Sequence, residues 1–203
     1  MQALPSPLLE ACDLACMRGE RLLFRRLAFR LEAGAACHVT GANGAGKTTL
    51  IRALAGLTPP FAGAVLREGT LGLLDERSGL DPEAPLGRAL AFWFALDSAS
   101  DAPAVMARLR LDALAEVPVR YLSTGQKKRA ALARLIGQRA AIWLLDEPLS
   151  GLDTASQTLV STLVAEHCAA GGIALIASHQ PLNVPGMSSF AIEDFVPASG
   201  EAA

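Results

Sequence analysis

The chain has 203 residues, 51% hydrophobic, 19% charged and 5% aromatic, with 18 Lys and Arg against 20 Asp and Glu. A chain of that length buries about 70% of its unfolded surface, so no disulfide or metal staple is needed, and disorder, collagen and coiled coil are excluded. A net charge of -2 offers no broad footprint for duplex DNA, and two Trp, one Tyr and seven Phe offer few stacking platforms, so nucleic acid is not an expected partner.

The opening Met1-Gln2-Ala3-Leu4-Pro5-Ser6-Pro7 has no basic start before an apolar run and no small-residue cleavage pattern, so a secretion signal is not expected. Nor does any stretch approach the roughly 20 apolar residues of a membrane span. A cytosolic chain is expected, and Cys12, Cys16, Cys37 and Cys168 then read as free, buried thiols rather than as ligands or disulfides.

Leu8 to Ala15 and Leu22 to Leu31 alternate as half-buried strands, with Gly19-Glu20 and Ala33-Gly34 as turns, which predicts a β-rich first lobe. Cys37 to Thr40 reads as a short buried strand. A glycine-rich run, Gly41 to Gly46, follows it, and Thr49 to Leu57 carries Leu50, Ile51, Leu54 and Leu57 at helical spacing. From Pro82 to Val119 the pattern is helical and uneven, punctuated by Pro85, Pro103 and Pro118, with Leu90, Phe92, Trp93, Phe94 and Leu96 as an apolar cluster. Spacing alone leaves that cluster open to two readings, a docking surface or local core. Beyond it the chain predicts a helix (126–136), a buried strand (141–145), a helix (154–168), a buried strand (173–178) and at most one edge strand after Ser188. Continuous apolar strands separated by helices imply parallel pairing covered on both faces.

Three segments carry chemistry. Gly41-Ala42-Asn43-Gly44-Ala45-Gly46-Lys47-Thr48 satisfies the phosphate-loop pattern GxxxxGK[ST] and lies between a strand and a helix, as its mechanism requires. Its glycines let backbone N–H groups turn inward as an anion nest, and the helix that follows aims its positive end at the same phosphates. Lys47 is expected on the β/γ-phosphates, Thr48 on Mg²⁺, and Thr49 beside them. The apolar strand Ala141 to Leu145 delivers Asp146 and Glu147 at its C-terminal end, where parallel sheets place ligands. Asp146 is expected at the Mg²⁺ and Glu147 at the attacking water.

The third segment, Leu122-Ser123-Thr124-Gly125-Gln126, resembles the LSGGQ signature of the ATP-binding cassette (ABC) ATPases with one Gly replaced by Thr. Ser150-Gly151-Leu152-Asp153 resembles that family's D-loop, and His179 its switch histidine. Taken singly, LSTGQ also reads as a Ser-capped helix start. The resemblance covers nearly the whole chain. It implies an α/β fold of the P-loop NTPase, ABC ATPase type, with a mostly parallel sheet core, an N-terminal antiparallel β lobe and a small helical insertion at about 76–121, all one domain over 1–203.

It further implies that the signature, where Ser123 has a hydroxyl and Gly125 leaves backbone N–H groups open, completes the phosphate loop of a second copy. Two ATP would then glue an ATP-dependent homodimer, with His179 at the γ-phosphate. Two positions depart from the family. Glu76 stands where a Gln usually links Mg²⁺ to the membrane partner, with Arg77 its nearest basic neighbour. No aromatic marks the adenine site, where Met17 or Arg18 falls instead. The short insertion and the run Ser178 to Val184 are similar to the ATP-binding subunit of the haem exporter of bacterial cytochrome c maturation. That implies a peripheral ATPase on the cytoplasmic face of the inner membrane, coupled to a transmembrane channel subunit, with haem not bound by this chain. Alternatives are another small ABC exporter or a soluble mechanical ABC ATPase, though the chain has neither the long coiled coil nor the tandem cassettes of the latter.

Overall fold

Leu8–Arg18 (β1) and Arg21–Glu32 (β2) pair antiparallel across the Gly19-Glu20 turn in the computed structural model, which describes residues 6–97 and 101–197. Their register slips between Ala11 and Leu14 and again between Leu14 and Cys16, with Asp13 at φ 49°. Such bulges bend and twist a strand. Cys12 and Asp13 sit in the slip and face solvent. This corrects one expectation: Cys16, Cys37 and Cys168 are buried, but Cys12 is not. Burial pushes the Cys16 thiol up to about 11.

A third strand, Ala62–Glu68 (β4), pairs antiparallel with β1 on its other side and completes a sheet of order β2-β1-β4. It carried no sequence signal because its residues are nearly all exposed and small or charged, so no apolar alternation marks it.

The second sheet has five strands, all parallel. Ala36–Thr40 (β3) is flanked by Ile173–Ala177 (β7) and by the edge strand Ser188–Ala191 (β8); Leu71–Leu74 (β5) and Ile142–Asp146 (β6) complete the order β5-β6-β7-β3-β8. Every residue of β6 and β7 is buried, as parallel strands covered on both faces require. Period-2 geometry sends their side chains to two different cores. Ile142, Leu144, Ile173 and Leu175 pack with β1, β2 and helix Lys47–Leu54 (α1). Trp143, Leu145, Ala174 and Ile176 pack on the other face with helices Thr124–Gly137 (α4) and Thr154–Ala169 (α5) and with the insertion.

The insertion contains helices Leu86–Leu96 (α2) and Ala102–Arg108 (α3). The apolar cluster predicted there divides between its two readings. Leu90 and Phe94 are core, whereas Phe92 and Leu96 are each 63% exposed. Trp93 is half-buried. It gives its indole N–H to the Gly79 carbonyl at 3.1 Å, and the Arg134 guanidinium of α4 lies 3.8 Å over its ring. Arg134 also donates to the Ser78 carbonyl at 2.9 Å, so one side chain ties α2 and the segment after β5 to α4.

Candidate active site

The phosphate loop begins where β3 ends. α1 starts at Lys47, two residues earlier than its apolar spacing predicts, behind a left-handed Gly46 that supplies no side-chain cap. Its first N–H groups therefore remain open to an anion. They face a cavity of about 180 Å³ walled by Asn43, Gly44, Gly46, Lys47, Thr48, Thr49 and Glu147, with Arg18 and Leu23 of the antiparallel lobe opposite. Arg18 thus lines this cavity and Met17 does not. Leu23 is a wall residue with no signal in the sequence, because its place depends on how the β1–β2 hairpin folds over the loop.

Lys47 is 5% exposed, and its ammonium donates to the carbonyls of Gly41 at 2.6 Å and Ala42 at 3.0 Å. Those two residues and Ala45 are not in the cavity wall; instead Ala45 N–H closes a turn on the Ala42 carbonyl at 3.2 Å.

β6 and β7 bring the carboxylates and the histidine to this point. Asp146 ends β6 and is buried. Burial pushes its pKa up, the hydrogen bond from Thr48 pulls it back, and the neighbouring Glu147 charge raises it again. Its Oδ1 has no hydrogen-bond partner among the described residues. A hydroxyl and a carboxylate with one orphaned oxygen form a hard-oxygen pair, which is the donor set Mg²⁺ takes beside phosphates. The residues present therefore fit that ion.

Glu147 has φ 46°, in the left-handed region that a residue with a Cβ occupies at a cost of about 1–2 kcal/mol. Its own N–H, bonded to the Ala177 carbonyl at 2.8 Å, holds it there. The strained backbone aims the side chain across the strand ends: Oε2 accepts from His179 Nδ1 at 2.8 Å, and Oε1 lies 3.8 Å from Lys47 Nζ. Behind this pair is a residue that sequence reasoning passed over. His38 of β3 is buried, and its Nε2 donates to the Ser178 carbonyl at 3.0 Å, fixing the backbone just before His179.

The signature residues lie elsewhere in the chain and none of them lines the phosphate-loop cavity. The helix-cap reading of LSTGQ is realised. Ser123 Oγ accepts the Gln126 N–H at 3.3 Å, and the Gln126 side chain accepts the Ser123 N–H at 2.8 Å, a reciprocal capping box at the start of α4. Leu122 anchors this end in the core. A Cβ on Gly125 would come within 2.9 Å of the Gly151 carbonyl, and one on Gly151 within 2.9 Å of Thr124 Cγ2. Signature and D-loop therefore touch through glycines, with the unusual Thr124 methyl filling the contact.

Asp153 caps α5 by accepting the Ser156 N–H at 2.8 Å, and the Ser156 hydroxyl, followed by that N–H, holds its carboxyl below the usual range. Gln157 then links the D-loop carbonyl of Leu152 to the Gln180 side chain beside His179.

Glu76 is exposed and lines a cavity of about 310 Å³ with Asp75, Thr124, Lys127, Lys128 and Ser150. No ion pair joins it to Arg77 among the described residues; Arg77 offers its N–H to Asp75 instead. The cations across the cavity are Lys127 and Lys128 of α4. Lys128 is pushed down chiefly by burial and pulled back by Asp146, Glu76, Glu147 and Asp75.

Comparison with known proteins accords with this geometry. The ABC transporter family profile matches residues 24–150. The chain is 51% identical to the cytochrome c biogenesis ATP-binding export protein CcmA of Novosphingobium aromaticivorans, over 93% of this chain and 97% of that one, and 48% identical to its namesake of Zymomonas mobilis, over 94% and 87%. Among solved structures it superposes on an inward-facing metal-chelate type ABC transporter with TM-score 0.75 at 25% identity, covering 92% of this chain and 80% of the other. It also superposes on an ABC transporter ATP-binding protein from Pyrococcus furiosus with TM-score 0.80 at 22% identity, covering 94% and 100%. A phosphate loop, a strand-end carboxylate pair, a glycine-packed signature and a strand-end histidine, in this order on this fold, place the chain in the ABC transporter family, as one of its ATP-binding subunits.

Proposed function

We propose that this chain is the ATP-hydrolysing subunit of an exporter serving cytochrome c biogenesis. It acts as an ATP-dependent homodimer, peripheral to the cytoplasmic face of the inner membrane, under a transmembrane channel subunit. The printed names of its relatives support the assignment. One geometric observation carries the chemistry: Glu147 is held between His179 and Lys47 at the wall of the phosphate-loop cavity.

In this reading Lys47 exchanges the carbonyls of Gly41 and Ala42 for the β/γ-phosphates, while the open N–H groups of Gly44 to Thr49 take the remaining oxygens. Thr48 and Asp146 hold Mg²⁺, which when bound neutralises phosphate charge. Glu147 takes the proton of the attacking water, and His179 keeps its carboxylate aimed. Leu122 to Gln126 of a second copy, with Asp153 in its D-loop, closes over the γ-phosphate. The chain is one domain over 1–203, with about 76–121 as the part that meets the membrane subunit. There the exposed Phe92, with Trp93, Asp81, Glu83 and Arg88, lines a groove of about 560 Å³ suited to a short helix carrying apolar and basic residues. Haem, or release of a haem-loaded chaperone, is the cargo step and is handled by the membrane partner.

The test is reconstitution with the candidate transmembrane subunit in proteoliposomes. Hydrolysis stimulated by that subunit, and lost with Glu147→Gln, is expected. A rate indifferent to the partner, or stimulation only by the membrane subunit of a different exporter, overturns the cytochrome c assignment.

A further inference from the structure

We propose that Glu193, in the C-terminal segment, is a positioning residue for the phosphate loop and acts on nucleotide affinity rather than on the chemical step. The proposal rests on the ATPase reading above. β8 runs parallel to β3 with Ala191 opposite Thr40, so the two strands end side by side. The chain then turns through a short 3₁₀ segment, Ile192–Phe195, directly over the start of the phosphate loop. Ile192 is fully buried there. Glu193 Oε1 accepts the Ala42 N–H at 2.5 Å.

A Cβ at Gly41, whose φ is 144°, would lie 2.6 and 2.8 Å from the two Glu193 oxygens and 2.8 Å from Ile192 Cγ2. Only glycine fits under this cover. The Gly41-Ala42 peptide is therefore gripped from two sides. Lys47 takes both carbonyls, and Glu193 takes the Ala42 N–H.

Those two grips have different fates when nucleotide arrives. Lys47 must surrender the carbonyls, since its ammonium is needed on the phosphates. The Ala42 N–H is under no such demand, because neither Gly41 nor Ala42 lines the cavity. Glu193 therefore remains as the side-chain contact that holds the start of the loop while Lys47 moves, keeping the N–H groups of Gly44 to Thr49 in their inward-facing arrangement. Preorganisation of this kind raises affinity because the ordering is done before binding. Glu193 touches no group at the strand ends that carries out hydrolysis, so the maximal rate is not its concern.

The experiment uses the full chain, alone for titration with a fluorescent ATP analogue and with its membrane subunit for steady-state hydrolysis, comparing Glu193→Ala and Glu193→Gln with the unaltered protein. Glutamine keeps the accepting oxygen and removes the charge. Glu193→Ala is expected to raise the Kd and the KM for ATP about tenfold, as loss of a hydrogen bond to a charged acceptor implies, with kcat within about twofold of the unaltered chain. Glu193→Gln is expected to restore wild-type affinity or better it. The proposal is overturned if Glu193→Ala binds ATP as tightly as the unaltered chain, if kcat falls while KM stays constant, or if glutamine is as impaired as alanine. Should Glu193→Ala not fold, the glutamine variant decides alone, since its affinity must then match or exceed wild type. Failure of the unaltered chain to bind ATP at all would instead count against the ATPase reading.

Discussion

The starts of α1 and α4 are two helix N-termini of the same molecule, each assigned an anion, and they are built in opposite ways. At α1 the cap is a glycine with no side-chain bond, so the first N–H groups point unpaired into a cavity. At α4 the cap is Ser123, and its reciprocal bonds with Gln126 satisfy two donors within the helix itself. The first end leaves donors open to an anion in the isolated chain. The second is a stable helix start, which in the proposed function meets its anion only on another molecule. An N-terminus capped by glycine forgoes only a few tenths of a kcal/mol relative to a side-chain cap, so leaving it open to phosphate costs the fold little. In the proposed function this difference separates the half-site that binds nucleotide first from the half-site that closes over it.

Five substitutions and a double variant probe that asymmetry. Glu147→Gln keeps side-chain volume and leaves the α1 half-site intact, so it should bind ATP while hydrolysing roughly 10²- to 10⁴-fold more slowly. With ATP and Mg²⁺ it should elute as a dimer in size-exclusion chromatography. Adding Ser123→Arg, which blocks the α4 half-site, should return it to monomer with nucleotide binding retained; monomer in both cases would contradict the dimer model. Lys47→Ala strikes the open end itself. It removes charge-assisted contacts to the phosphates, and a drop in turnover of about 10²- to 10³-fold is expected, measured by phosphate release.

Asp146→Asn should abolish Mg²⁺-dependent turnover yet stabilise the nucleotide-free chain at neutral pH. Because its pKa is raised in the fold, the native protein takes up that proton more readily than the unfolded chain. Its contribution is thus favourable below the unfolded value of about 3.9 and lost as pH rises through the folded value. Urea melts of the variant and the unaltered chain should therefore diverge at pH 7 and converge toward about pH 4. Ser123→Ala, by contrast, should cost about 1 kcal/mol of unfolding free energy with no nucleotide present. An unchanged urea midpoint would mean that the capping box is not holding α4.

The smallest effect is expected at Glu76→Gln. Glu76 is exposed and faces Lys127 and Lys128 across a water-accessible cavity. ATP affinity should stay within about tenfold, or 1.4 kcal/mol, while stimulation by the membrane subunit changes. Lost nucleotide binding with normal stimulation would refute its placement on the coupling side.

The nearer a feature is to one continuous segment, the more of it can be read without a structure. The phosphate loop, the strand carrying Asp146 and Glu147, and the alternation of buried strands with helices each depend on local periodicity or on backbone chemistry at fixed spacing. For that reason the parallel core and the α1 half-site were legible, although boundaries moved by a few residues, as with α1 starting at Lys47. The exposed β4 was not, because a strand that sets only Val65 against the core leaves no apolar alternation.

By itself, then, the sequence determined the nucleotide chemistry and the class of fold, since both follow from residue types that no other arrangement explains as well. Tertiary structure alone decided which distant groups meet. It turned the Glu147 backbone left-handed to reach His179 and Lys47, chose Lys128 rather than Arg77 to face Glu76, set Arg18 and Leu23 over the cavity, and laid Glu193 on the Ala42 N–H. Those contacts join residues from about 20 to 150 positions apart, and at such separations local propensity is silent while burial, strand order and hydrogen-bond satisfaction settle the geometry.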